Sequence, residues 1–309
     1  MTLTGALTLR FSTQASSDIQ RMTQELTDLQ RQVASGAVAN DLRGYGDGAA
    51  RLLNTQSLRS SADAKSSAVS ALTARFGVQA SALSQVASAA SQMASSIRDA
   101  LSSNDGRSLD VSLNLAFSST VAGLNEQWNG QPLFAGERIG SPPVKLDSLD
   151  QLVAAIGPSD IFDEAQRQQT VDLGVGPPIP IADKASTMST PLFDTMKQLK
   201  IMIDSAGGQL PSPLTQAQRD LLQQYASDLD SESQTFTVAE GRAGQLQTRF
   251  EDERTRMNDR SDLLLKEIGD QSGVDMAQVS VRINSLLAQY QAAAKTFVDI
   301  SKMSLLDYL

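Results

Sequence analysis

A chain of 309 residues without a single cysteine or histidine has no disulfide, no thiol nucleophile, and neither the commonest metal ligand nor the commonest general base. Its net charge of −9 comes with no Lys/Arg cluster, which argues against nucleic acid and anionic lipid as partners. Aromatic residues make up only 5% of a composition led by Ala, Ser, Gln and Leu, and Trp128 is the sole tryptophan, so packing between long helices is expected rather than a thick globular core.

The first element is predicted over about residues 10–36. Ile19, Met22, Leu26, Leu29 and Val33 alternate steps of three and four among polar neighbours, a 3.5-residue repeat that buries one narrow stripe against another helix. Ser35-Gly36 supplies its stop, with the glycine as C-cap. A loop follows over about 37–48, with Gly44, Gly46 and Gly48 close together.

A second helix is predicted from about 49 to 102, on the order of 80 Å long at 1.5 Å per residue. Val69, Leu72, Phe76, Leu83, Val86, Ala90, Met93 and Ile97 hold one register, broken only at Gln79. Asn104-Asp105-Gly106 ends it with turn chemistry. A third helix, about 107–128, carries Leu109, Leu113, Ala116, Phe117, Val121, Leu124 and Trp128 on one face. Asn129-Gly130 then predicts a hairpin-type turn, and Pro132 bars continuation of the helix.

From 131 to about 188 the helical period fades. Short β-like runs occur at Leu133-Phe134-Ala135, residues 169–173 and residues 178–182, and Leu146, Leu149, Leu152, Val153 and Ile156 suggest one short helix. About 60 residues in this insert are too few for a strong core of their own. Thr190-Pro191 predicts the next helix start, with Leu192, Met196, Leu199 and Ile203 on its face and Gly207-Gly208 at its end.

The last long helix is expected to begin near Pro213, with Thr215 and Gln218 as a capping box. Its register runs from Tyr225 through Leu229, Phe236, Ala243 and Phe250 to Leu264, then slips across Gly269 and Gly273. The terminal helix beyond it repeats the seam without a miss: Met276, Val279, Ile283, Leu286, Tyr290, Ala293, Phe297 and Ile300. The two terminal seams are expected to form the assembly surface by packing between molecules. A lone helix of this length is marginal in water, so the termini are expected to fold on assembly.

Candidate chemistry is sparse. Gly44-Tyr-Gly-Asp-Gly48 lacks the Lys-Ser/Thr of a phosphate loop and follows no strand, which leaves a joint as the reading. Asp228 with Asp230 and Asp147 with Asp150 are not placed as a glycosidase pair across a cleft. Asp99, Asn104 and Asp105 have no closing Glu for a calcium loop. No apolar run approaches the roughly 18–20 residues of a membrane span, and residues 1–10 lack the basic and apolar regions of a cleavable signal peptide. The chain is expected to be no enzyme and to need no cofactor or metal.

Three stretches carry a family resemblance. Leu29-Gln-Arg-Gln-Val-Ala-Ser-Gly36 looks like the N-terminal "LQxQIASG" stretch of the bacterial flagellin superfamily, and Trp128-Asn-Gly-Gln-Pro-Leu-Phe-Ala-Gly136 resembles its "G-x-x-LFAG" segment. Ser304-Leu-Leu-Asp-Tyr-Leu309 is similar to the ending of its hook–filament junction members. The resemblance covers essentially the whole chain, with the insert matching only in size and character. Tyr45-Gly-Asp-Gly-Ala-Ala50 replaces the acidic "DDPA" turn usual in the family, and Leu9-Arg-Phe-Ser-Thr13 does not reproduce the flagellin "INTN".

The resemblance implies a mainly α fold, a long antiparallel helical rod with coiled-coil termini plus a small α+β insert. The expected divisions are a terminal module (1–43), rod helices (44–130), an insert facing solvent (131–188), rod helices (189–268) and a second terminal module (269–309). It further implies an extracellular axial protein of the flagellum, exported without a cleaved signal peptide, that joins hook to filament as a mechanical adaptor. The implied partners are other copies of itself in a ring, the first hook-associated protein, flagellin, and a cytosolic export chaperone at the C-terminal helix. A filament-forming flagellin and a cytosolic coiled-coil scaffold are the alternatives.

Overall fold

The computed structural model describes the backbone of residues 3–172 and 178–306, and the side chains of residues 13–172 and 178–299. The described elements are, in order, α1 (Leu3–Ser35), a 3₁₀ turn (Leu42–Tyr45), α2 (Gly48–Ser103), α3 (Leu109–Leu124), β1 (Gln127–Trp128), β2 (Gln131–Pro132), α4 (Leu149–Ala154), α5 (Pro158–Ile161), β3 (Thr170–Val171), β4 (Ile179–Pro180), α6 (Ala185–Ser205), α7 (Gln216–Ser272) and α8 (Met276–Leu306). The fold is mainly α. Contacts divide it into a terminal unit, residues 1–65 and 256–309, and a central unit, residues 66–255. Helices α2 and α7 contribute to both, so the division falls inside helices and not at the glycine-rich loop or at Gly269.

In the central unit α2 and α7 run antiparallel. Phe76 stacks on Phe250 with ring centroids 5.3 Å apart, the Ser233 hydroxyl donates to the Ala87 carbonyl at 2.9 Å, and Arg98 pairs with Asp230 at 2.6 Å. Leu83, Val86, Met93 and Ile97 of α2 are buried with Leu113, Phe117 and Leu124 of α3, Phe193, Met196 and Leu199 of α6, and Leu229 and Phe236 of α7. Alternate apolar turns on each helix thus build one core. Gly123 lets α3 close onto α2: a Cβ there would lie 2.8 Å from Val86 Cγ2 and 3.0 Å from the Ala82 carbonyl oxygen.

The insert shares this core. Leu133, Phe134, Leu146, Leu149, Leu152 and Phe162 are buried in it, and the Phe162 and Phe117 rings meet Phe193 edge-on at 5.8 and 6.1 Å. A segment of that size gains little by closing on itself and more by burying its apolar side chains against helices already in place. Ser148 caps α4 by accepting from the Gln151 N–H. That helix ends before Ile156, which is 97% exposed although it fits the helical spacing.

Local signals locate most element ends. Asn129 and Gly130, with φ of 50° and 74°, make the tight turn that pairs Trp128 with Gln131, the conformation for which an Asn-Gly pair is suited. Thr215 and Gln218 exchange capping bonds, backbone N–H to Oε1 at 2.9 Å and backbone N–H to Oγ1 at 3.3 Å. The expected start of a helix at Thr190-Pro191 is corrected: α6 begins at Ala185 and carries Pro191 inside it. Its first turn is anchored from outside, since the Ala185 N–H donates to the Phe134 carbonyl and Glu164 accepts from the Ser186 N–H and hydroxyl. Burial of Ala185 and Met188 outweighs the hydrogen bond that proline forgoes.

Candidate assembly seam

The terminal unit is built from the joint outward. Gly36, at φ 68°, stops α1. The Val38 N–H donates to the Ser272 carbonyl at 2.8 Å and the Val274 N–H donates to the Gly36 carbonyl at 3.1 Å, so the end of α1 is stitched to the break between α7 and α8. Asp275 then starts α8, its Oδ1 accepting the Ala277 and Gln278 N–H groups at 2.9 and 3.1 Å, a side-chain cap for two unpaired donors. The glycine-rich loop takes the form of a 3₁₀ turn, capped by Asp41 and held by the Tyr45 hydroxyl on the Ala39 carbonyl at 2.9 Å.

From that joint α8 runs back along α1. Glu25 meets Arg282 at 2.7 Å, and Leu29, Val279 and Leu286 form a buried cluster with Met22, Leu26, Val274 and Ile283 packed on it. Residue numbers fall along one helix as they rise along the other, so the pair is antiparallel. The two stripes expected from the periodicity therefore meet within one chain.

The expected seam residues fall into three groups. Leu29, Val279 and Leu286 are buried; Ile19, Met22, Leu26, Ile283 and Phe297 are half-buried. Val33, Met276 and Tyr290 are exposed, at 38%, 47% and 38%. The side chain of Ile300 lies outside the described residues, as do the side chains of the 304–309 ending. Val281, Leu287 and Val298 also stand exposed on α8, off the register that faces α1. Leu287 and Val298, eleven positions apart in number, share one face, whereas Val281 lies about 120° from Leu287 around the helix, so no single further stripe marks all three.

Charge separates with the units. Thirteen Lys and Arg balance thirteen Asp and Glu in the terminal unit, whereas thirteen face twenty-two in the central one. The terminal surface therefore offers exposed apolar side chains without net charge, a combination that lets copies approach without repulsion.

Residues 227–309, which include most of α7 and all of α8, match the family model of the bacterial flagellin C-terminal helical region. The C-terminal region is thus similar to that of bacterial flagellins. No curated protein matches the chain. Among solved structures, a protein described as flagellar hook-associated from Vibrio parahaemolyticus matches with a TM-score of 0.56 at 16% identity, covering 76% of this chain and 100% of that one. FlgL of Bacillus cereus matches with a TM-score of 0.53 at 11% identity, covering 69% of this chain and 96% of that one. At these identities the two structures speak for the fold, and the flagellin-type region is the sequence link that accompanies it.

Proposed function

We propose that this chain is a structural, axial protein of the bacterial flagellum that joins hook to filament as a mechanical adaptor. The observation that carries the proposal is the antiparallel pairing of α1 with α8, which includes a C-terminal region similar to that of flagellins and leaves exposed apolar side chains on a terminal unit of no net charge. In this role the α1–α8 pair packs against other copies in a ring. The first hook-associated protein and flagellin are the neighbours on its two sides, and a cytosolic chaperone holds the C-terminal helix before export through the flagellar channel. The role asks for packing and mechanical strength rather than bond chemistry.

Fractionation with an antibody to this chain tests the proposal. Its presence on sheared, washed flagella at its full length is the expected result. Confinement to the cytosol would replace the flagellar role with that of a coiled-coil scaffold.

A further inference from the structure

Gln79 interrupts the apolar register of α2, and the structure shows where that polar side chain goes. It is only 5% exposed, and its buried Oε1 accepts no hydrogen bond from the described residues. Leaving a buried acceptor unpaired costs more than an apolar residue of the same shape would. Gln79 lines a cavity of about 230 Å³ in the central unit. Ala239 and Ala243 of α7 line it with short side chains, and Leu83, Met188 and Leu246 supply larger apolar walls.

The rim carries no spare charge. Arg242 donates to Asp183 Oδ2 at 2.9 Å, and Gln168 Nε2 donates to Asp183 Oδ1 at 3.0 Å. A ligand that fits is therefore neutral, largely apolar, and provides one donor. Size narrows the class further, since an aliphatic-lined cavity of about 150 Å³ already admits benzene. The terminal torsion of a glutamine is soft, and binding requires the amide to turn so that Oε1 meets the ligand's donor.

The geometry points to a binding site beneath residues 179–183 for a single aromatic ring system bearing one N–H or O–H donor, held by Gln79 and the apolar walls. Such a ring arrives either free in solution or as a tryptophan or tyrosine side chain on a docked segment. Neither source is part of the axial role above, and the site stands whether or not that role does.

Titration of the full-length chain with indole and with indene, its carbon isostere lacking the N–H, tests the site. Saturable indole binding is expected, with shifts of the Gln79 side-chain amide and Met188 methyl resonances, about five- to tenfold tighter than for indene. Gln79→Leu should erase that preference, and Ala239→Leu should fill the cavity and abolish binding of both. If Gln79→Leu does not fold, the wild-type preference and the Ala239→Leu loss decide. N-acetyl-tryptophanamide separates the sources: its binding supports a side chain on a docked segment, and its exclusion alongside indole binding supports a free ring. Absence of saturable indole binding, equal affinity for indole and indene, or a fixed water on Gln79 that indole does not displace would overturn the site.

Discussion

Leu286 lies at the centre of the α1–α8 contact, 5% exposed beside Leu29 and Val279. Leu286→Asp removes its packing, on the order of 3 kcal/mol, and leaves a carboxylate with no cation designed to meet it. Amide exchange should then rise along α1 and α8 while Phe117, Phe193 and the rest of the central core keep their protection. Uniform loss of protection throughout the chain would show that the seam is not an independent element. A second residue effect concerns pH. Burial first, and the negative charge of Asp228 second, hold the Glu232 carboxyl above its usual range. The folded state therefore binds that proton more tightly than the unfolded one, and stability falls as pH rises from the ordinary glutamate value through the raised one. Glu232→Gln should be more stable than wild type at neutral pH, with the gap closing in acid. Thermal unfolding at pH 7 and pH 4 reads the difference, and an unchanged gap would count against it.

At the level of elements, the turns and caps do the specifying. Gly130 adopts φ 74° with open space around it, so Gly130→Ala is opposed by backbone strain and not by a clash, and should cost about 1 kcal/mol. Thr215→Ala should cost a similar amount, about 1 kcal/mol, by breaking the capping box that starts α7. Both are read as shifts in denaturant midpoint at constant slope, and a changed slope would indicate a change in the denatured state instead. These elements were readable from sequence because each end rests on local chemistry: Asn129-Gly130, Thr215 with Gln218, Gly36, and Gly207-Gly208. The start of α6 was not, because its anchors are the Phe134 carbonyl and Glu164, groups brought near only by the folded insert. Likewise the periodicity of Ile19–Val33 and Met276–Ile300 announced a seam, but a repeat alone does not say whether its partner is in the same chain. The Gly36–Val274 and Val38–Ser272 hydrogen bonds, which align α1 with α8, have no sequence signature.

Across the molecule, the separation of charge is the property most tied to assembly. The excess of acid falls in the central unit, where twenty-two acidic side chains face thirteen basic ones, and the terminal unit is balanced. Association through the terminal unit should rest on apolar burial and therefore respond weakly to salt, because screening acts on net charge and exposed ion pairs. Light scattering of the purified chain at low and high salt should give similar association, and a steep fall with salt would point to ion pairs across the contact instead. The location of the protein bears most directly on its proposed role. Immunogold electron microscopy of isolated flagella should show a narrow band between hook and filament. Label along the whole filament would make the chain a filament subunit, and flagella without label would contradict the axial role altogether.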